Sequence, residues 1–82
     1  MADFSLKTKF SVDGESYLLS TVKLHWCYKL SYETMLFKID KRNRVRYKDL
    51  YCRKYYTQQE AEAGHKELLL RVEHGERFWQ TI

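Results

Sequence analysis

The chain has 82 residues, no proline, three glycines and two cysteines, with a net charge of +4 and a pI near 9.1. That length makes one domain with a small core, which must be dense in large side chains, and 44% hydrophobic residues with seven Tyr, four Phe and two Trp supply it. The composition excludes a disordered chain, two cysteines are too few for a disulfide scaffold, and no stretch approaches the roughly 20 apolar residues of a membrane span.

Met1–Lys7 lacks the long apolar run of a signal peptide, so the expectation is a cytoplasmic protein with free thiols. Phe4, Leu6, Thr8 and Phe10 alternate with Ser5, Lys7 and Lys9, the period of a strand with one buried face. Asp13-Gly14 then reads as a type I′ hairpin turn, because both residue types tolerate positive φ. A second strand is expected from about Glu15 to Tyr28, with Leu18, Val22, Leu24 and Trp26 on one face. After a turn at Lys29-Leu30-Ser31, a third runs from Tyr32 to Ile39, with Met35, Phe37 and Ile39 sharing a face. Asp40-Lys41-Arg42-Asn43 is a polar turn, and Arg44 to Tyr56 is strand-like with a break near Lys48-Asp49.

Thr57-Gln58-Gln59-Glu60 matches the capping box of a helix start, with Tyr56 and Ala61 at the hydrophobic-staple positions. Ala61, His65, Leu68 and Val72 form one helical stripe with Leu69 beside it, and Gly75 is placed to end the helix. The expected fold is α+β: a four-stranded antiparallel meander over about residues 3–56, and one C-terminal amphipathic helix over about 58–74 packed on one face. A short tail at 76–82 docks through Phe78, Trp79 and Ile82. The core is expected to draw on Phe4, Leu6, Phe10, Leu18, Val22, Leu24, Trp26, Met35, Phe37, Ile39, Leu50, Ala61, Leu68, Leu69 and Val72.

Charge is segregated along the chain. Residues 38–54 hold eight Lys and Arg against two acids, whereas residues 55–82 hold three basic residues against five acidic ones. The densest part, Lys41-Arg42-Asn43-Arg44-Val45-Arg46-Tyr47-Lys48, interleaves cations with Val and Tyr. On a strand, Arg42, Arg44, Arg46 and Lys48 share one face, and such a row tracks phosphates, with Tyr51 or Tyr55 near enough to stack on bases. The same row also serves as a solvated edge that blocks sheet-to-sheet pairing, or as a contact for an acidic protein surface. Lys41, Arg42, Arg44, Arg46, Tyr47 and Lys48 are therefore the candidate partner-binding residues.

Gly64-His65 falls in mid-helix, where glycine costs about 1 kcal/mol relative to alanine, so a close approach of helix to sheet is expected there. His65 then points at the sheet, near Glu33 or a tyrosine hydroxyl, and Glu33 with His65 is the candidate polar core or site pair. His25, Cys27, Cys52 and His65 offer the donor types of a zinc site. They come from three distant segments and contain no CxxC or HxxxH spacing, so neither a metal nor any cofactor is expected. No Gly-rich phosphate loop, nucleophile elbow or HExxH is present, and no catalytic residue is assigned.

Ser20-Thr21-Val22, Tyr32-Glu33-Thr34-Met35-Leu36-Phe37, Asp49-Leu50-Tyr51 and Tyr56-Thr57-Gln58-Gln59-Glu60-Ala61-Glu62-Ala63-Gly64-His65 occur in this order. Together they resemble a group of small uncharacterised proteins from phages and prophages of Gram-positive bacteria, over roughly residues 17 to 70. The match departs between Leu24 and Tyr32, where relatives carry a Gly/Asp/His-containing loop and this chain has His25-Trp26-Cys27-Tyr28-Lys29-Leu30. The resemblance implies the context of a phage accessory protein in a host cytoplasm and carries over no activity or mechanism. The expected function is non-enzymatic: binding a host protein or ribonucleoprotein complex to inhibit or redirect it, a CRISPR nuclease of host defence being the most concrete target. Direct nucleic-acid binding and a role in virion structure or assembly are the alternatives, and no membrane partner is expected.

Overall fold

The computed structural model describes residues 4–24 and 31–80. Asp13 and Gly14 have φ of 52° and 79°, so the two-residue loop between β1 (Ser5–Val12) and β2 (Glu15–Lys23) is the type I′ turn. That loop sets the register: Val12 lies opposite Glu15, Phe10 opposite Tyr17, Thr8 opposite Leu19 and Leu6 opposite Thr21. β3 (Tyr32–Ile39) and β4 (Val45–Tyr55) follow, each antiparallel to its predecessor, in the sheet order β1-β2-β3-β4. The meander and the single following helix, α1 (Gln58–Glu73), are as the sequence predicts. β2 stops at Lys23, where the Leu24 N–H donates to the Ser31 carbonyl at 2.6 Å. Residues 25–28 of the expected second strand, and with them Trp26, lie outside the described residues.

Residues opposite one another in the ladder share a face, so the apolar side of β1 meets the odd-numbered positions of β2. Consequently α1 packs over Tyr17, Leu19, Thr21, Tyr32, Thr34 and Leu36, and over Phe4 and Phe10 of β1. This corrects the sequence-based core. Leu18, Phe37 and Ile39 are buried, with Met35 and Val45 against them, but they form a separate cluster on the opposite face. The two central strands therefore bury both faces, and Leu19, Thr21, Thr34 and Leu36 are completely enclosed. Leu50, also expected in the core, is 40% exposed.

The capping box is complete: Thr57 Oγ1 accepts from the Glu60 N–H, and the Glu60 carboxylate accepts from the Thr57 N–H. The staple is made differently. Tyr56 is 63% exposed, and Tyr55 packs on Ala61 instead. At the far end Gly75, with φ of 90°, donates to the Val72 carbonyl and Glu76 donates to Arg71, the paired bonds of a Schellman motif. The tail then folds back, and Trp79 lies against Phe10 and Tyr17 while Phe78 meets Tyr51 edge-on. Among the described residues no helix is long and apolar enough to cross a membrane.

Candidate partner-binding interface

The β3–β4 connection is built around Asp40. The Asn43 N–H donates to the Asp40 carbonyl, the Asp40 N–H donates to the Arg44 carbonyl, and Asn43 takes φ of 63°. This is a type I turn closed by one left-handed residue, for which asparagine is suited. The Asp40 side chain fastens the turn from inside: Oδ1 accepts the N–H groups of Arg42 and Arg44, each at 2.9 Å. Its Oδ2 accepts the Arg44 guanidinium at 3.2 Å and faces Arg46 at 3.8 Å. The N–H donors of Arg44 and Arg42 and the Arg44 guanidinium hold the Asp40 carboxyl below the usual carboxylate range, against the opposing effect of desolvation.

Lys41, Arg42 and Arg44 thus belong to a turn, and β4 begins at Val45. Beyond Arg46 the ladder breaks: Arg46 pairs with Lys38 and Tyr51 with Leu36, so Tyr47–Leu50 face the single residue Phe37. The break near Lys48-Asp49 expected from sequence is this bulge, and it reverses which face each later side chain meets. The straight row of Arg42, Arg44, Arg46 and Lys48 is therefore not formed; turn and bulge scatter the cations around one end of the sheet. All six candidate residues, Lys41, Arg42, Arg44, Arg46, Tyr47 and Lys48, are nonetheless exposed. Tyr47 is 78% exposed, with its ring edge-on to Phe37 at 5.2 Å. Tyr51 is half-buried against Phe78 and Tyr55 is buried, so neither offers a free ring to a base.

No family model, curated protein or solved structure matches the chain. The site therefore rests on its own geometry.

Glu33 and His65 do not meet. Glu33 sits on the face away from α1, where its carboxylate lies 3.5 Å from the Cys52 thiol and 3.9 Å from Lys54. Burial first, and Glu33 second, push the Cys52 thiol up, which leaves it protonated and a poor nucleophile. His65 is on the other side of the sheet, so it cannot share a metal with Cys52; His25 and Cys27 lie outside the described residues. Among the described residues no three His, Cys, Asp or Glu side chains are grouped to hold a metal.

The actual partners of His65 are threonines. Its Nδ1 is 2.7 Å from Thr21 Oγ1 and its Nε2 is 3.0 Å from Thr8 Oγ1, and Thr21 Oγ1 is 2.6 Å from Thr34 Oγ1. One polar seam thereby ties α1 to β1, β2 and β3, and desolvation holds the imidazole pKa below its ordinary value. Both ring nitrogens are engaged with hydroxyls inside the core, and this is a structural role. On β4 the Tyr55 hydroxyl is buried outside this seam, with no hydrogen-bond partner among the described residues. An unpaired buried hydroxyl carries a desolvation cost, so Tyr55→Phe is expected to leave stability unchanged or raise it by up to about 1 kcal/mol. Chemical denaturation checks this; a loss above 1 kcal/mol would mean that the hydroxyl is paired.

Proposed function

We propose that this protein is a non-enzymatic binding protein, a phage-type accessory factor that inhibits or redirects a host protein or ribonucleoprotein by contacts at the β3–β4 end of its sheet. A nuclease complex of host defence is the most concrete partner, on the strength of the sequence resemblance.

The observation that carries the reading is the bulge. It lifts Tyr47 and Leu50 into solvent among Lys41, Arg42, Arg44, Arg46 and Lys48, on a rim fixed by the Asp40 turn. An aromatic anchor with arginines around it is the composition of an interface hot spot. The surrounding positive charge would speed encounter with an acidic surface and fix its orientation.

The test is capture of partners from host lysate on the tagged protein, with and without nuclease. The expected result is one protein or complex, recovered near stoichiometrically and unchanged by nuclease. Tyr47→Ala is expected to weaken that complex by about 2 kcal/mol, roughly thirtyfold in Kd, as for a buried anchor. A diffuse set of nucleic-acid-associated proteins that vanishes with nuclease would replace the reading with direct nucleic-acid binding.

A further inference from the structure

We infer that the free edge of β1 takes an added strand, an extended segment of another protein that sets two acidic side chains opposite Lys7 and Lys9 and apolar side chains on the α1 side. This surface lies at the edge of the sheet opposite β4, so the inference goes beyond the binding reading above and stands apart from it.

The backbone supplies the groups. A two-residue type I′ loop is closed by a hydrogen-bonded pair, here Val12 with Glu15, and such pairs then recur at Phe10–Tyr17, Thr8–Leu19 and Leu6–Thr21. The Lys23 N–H, which donates to the Phe4 carbonyl at 3.3 Å, continues the same alternation. Ser5, Lys7, Lys9 and Ser11 therefore turn their N–H and C=O groups away from β2, toward the open edge. The ladder along β1 runs unbroken from Ser5 to Val12, whereas at the other edge β4 is broken by its bulge. A regular edge of eight residues is a template for one more strand.

The side chains select what is added. α1 lies over β2, β3 and β4 more than over β1, and no residue of β1 is fully buried. Leu6, Phe10 and Val12 stay half-exposed on the α1 side, with the Trp79 ring against Phe10, and offer apolar contact to a neighbouring strand. Lys7 and Lys9 are exposed on the other face, opposite Ser20 and Leu18 of β2, and among the described residues no carboxylate pairs with either. A second copy is the wrong occupant: any two-fold pairing of β1 with itself centred on Lys7, Thr8 or Lys9 sets lysine opposite lysine, which destabilises. Glutamate or aspartate at the facing positions gives opposite-charge pairs instead. A nucleic acid cannot complete the ladder, because it lacks alternating peptide donors and acceptors.

The experiment titrates the full chain into a fluorescein-labelled heptapeptide amide, Thr-Val-Glu-Val-Glu-Val-Thr, and reads anisotropy; the control peptide carries lysine for both glutamates. The glutamate peptide should bind about tenfold more tightly than the control, and Lys7→Glu with Lys9→Glu should reverse that preference while the melting temperature stays at the wild-type value. Amide-resolved hydrogen exchange locates the contact. The bound peptide should slow exchange at Ser5, Lys7, Lys9 and Ser11 and leave Leu6, Thr8 and Phe10, already bonded to β2, unchanged. No binding at millimolar concentration, equal binding of the two peptides, or protection at residues 41–50 in place of β1 would overturn the inference. So would concentration-dependent protection of the same four amides without peptide, which would give the edge to a second copy. None of these outcomes touches the β3–β4 reading, which fails on a different result: a captured partner indifferent to Tyr47→Ala.

Discussion

Alanine at Gly64 is expected to destabilise the fold by about 1–3 kcal/mol, the cost of overpacking a filled core. In an exposed helix interior the same change would stabilise by about 1 kcal/mol, so the sign of the effect reports on packing. A Cβ at this position would overlap the Tyr55 hydroxyl and lie 2.8 Å from a ring carbon of that buried side chain. The ring cannot retreat, because it is wedged against Tyr32 and Ala61; the helix must lift instead. Lifting α1 stretches the bonds from His65 to Thr8 and Thr21, so the loss is shared between packing and the seam. For a domain of this size the melting temperature should fall by about 4–8 °C per kcal/mol. An unchanged or raised melting temperature would show that helix and sheet are further apart than described.

Removing His65 should cost more. His65→Ala is expected to lose about 3 kcal/mol, because it opens a cavity and strips two hydroxyls of a buried partner. Only Ala61, Gly64, His65 and Leu68 of α1 are fully buried, so the imidazole is a large share of what fastens the helix. The pH dependence separates this role from simple filling of space. Desolvation lowers the pKa of His65 in the folded protein, so at pH well above the ordinary histidine value both folded and unfolded states hold it uncharged and it adds no slope. As pH falls through the ordinary histidine value of about 6.5, the unfolded chain takes up the proton first and stability drops. His65→Gln has no proton to bind there. The stability advantage of wild type over His65→Gln should therefore shrink between pH 7 and 5 in denaturant titrations. A constant difference would mean that His65 titrates alike in both states.

Much of this architecture is legible in the sequence because local chemistry dictates it. The Asp13-Gly14 turn, the alternation along β1, the Thr57–Glu60 box and Gly75 each impose one backbone geometry. The face that α1 covers is also encoded, but only through two steps taken together. A two-residue turn pairs Phe10 with Tyr17, and that pairing sends Tyr17, Leu19 and Thr21 inward. Reading β2 by its own apolar residues selects Leu18 and Val22 instead, because a central strand buried on both faces has no single hydrophobic side.

The same ambiguity hid the seam. Thr8 already falls at an inward position of β1, and a histidine in a buried helical stripe requires a hydrogen-bond partner, yet Thr21 and Thr34 become visible only once the register is known. Glu33 was the wrong partner by one position, which in a strand means the wrong face. The cationic hairpin was legible as composition; the bulge that scatters it, and the grip of Asp40 on Arg44 and Arg46, depend on pairing across strands and were not.

Hydrogen exchange on the protein with and without its captured partner tests the central claim most directly. Binding at the β3–β4 end predicts slower exchange across residues 41–50, most of all at the amides of 47–50, which lie opposite Phe37 alone. The outer face of α1 should be unchanged. Protection confined to α1 or to the β1 edge, with residues 41–50 unaffected, would contradict the account and move the interface to the other side of the molecule.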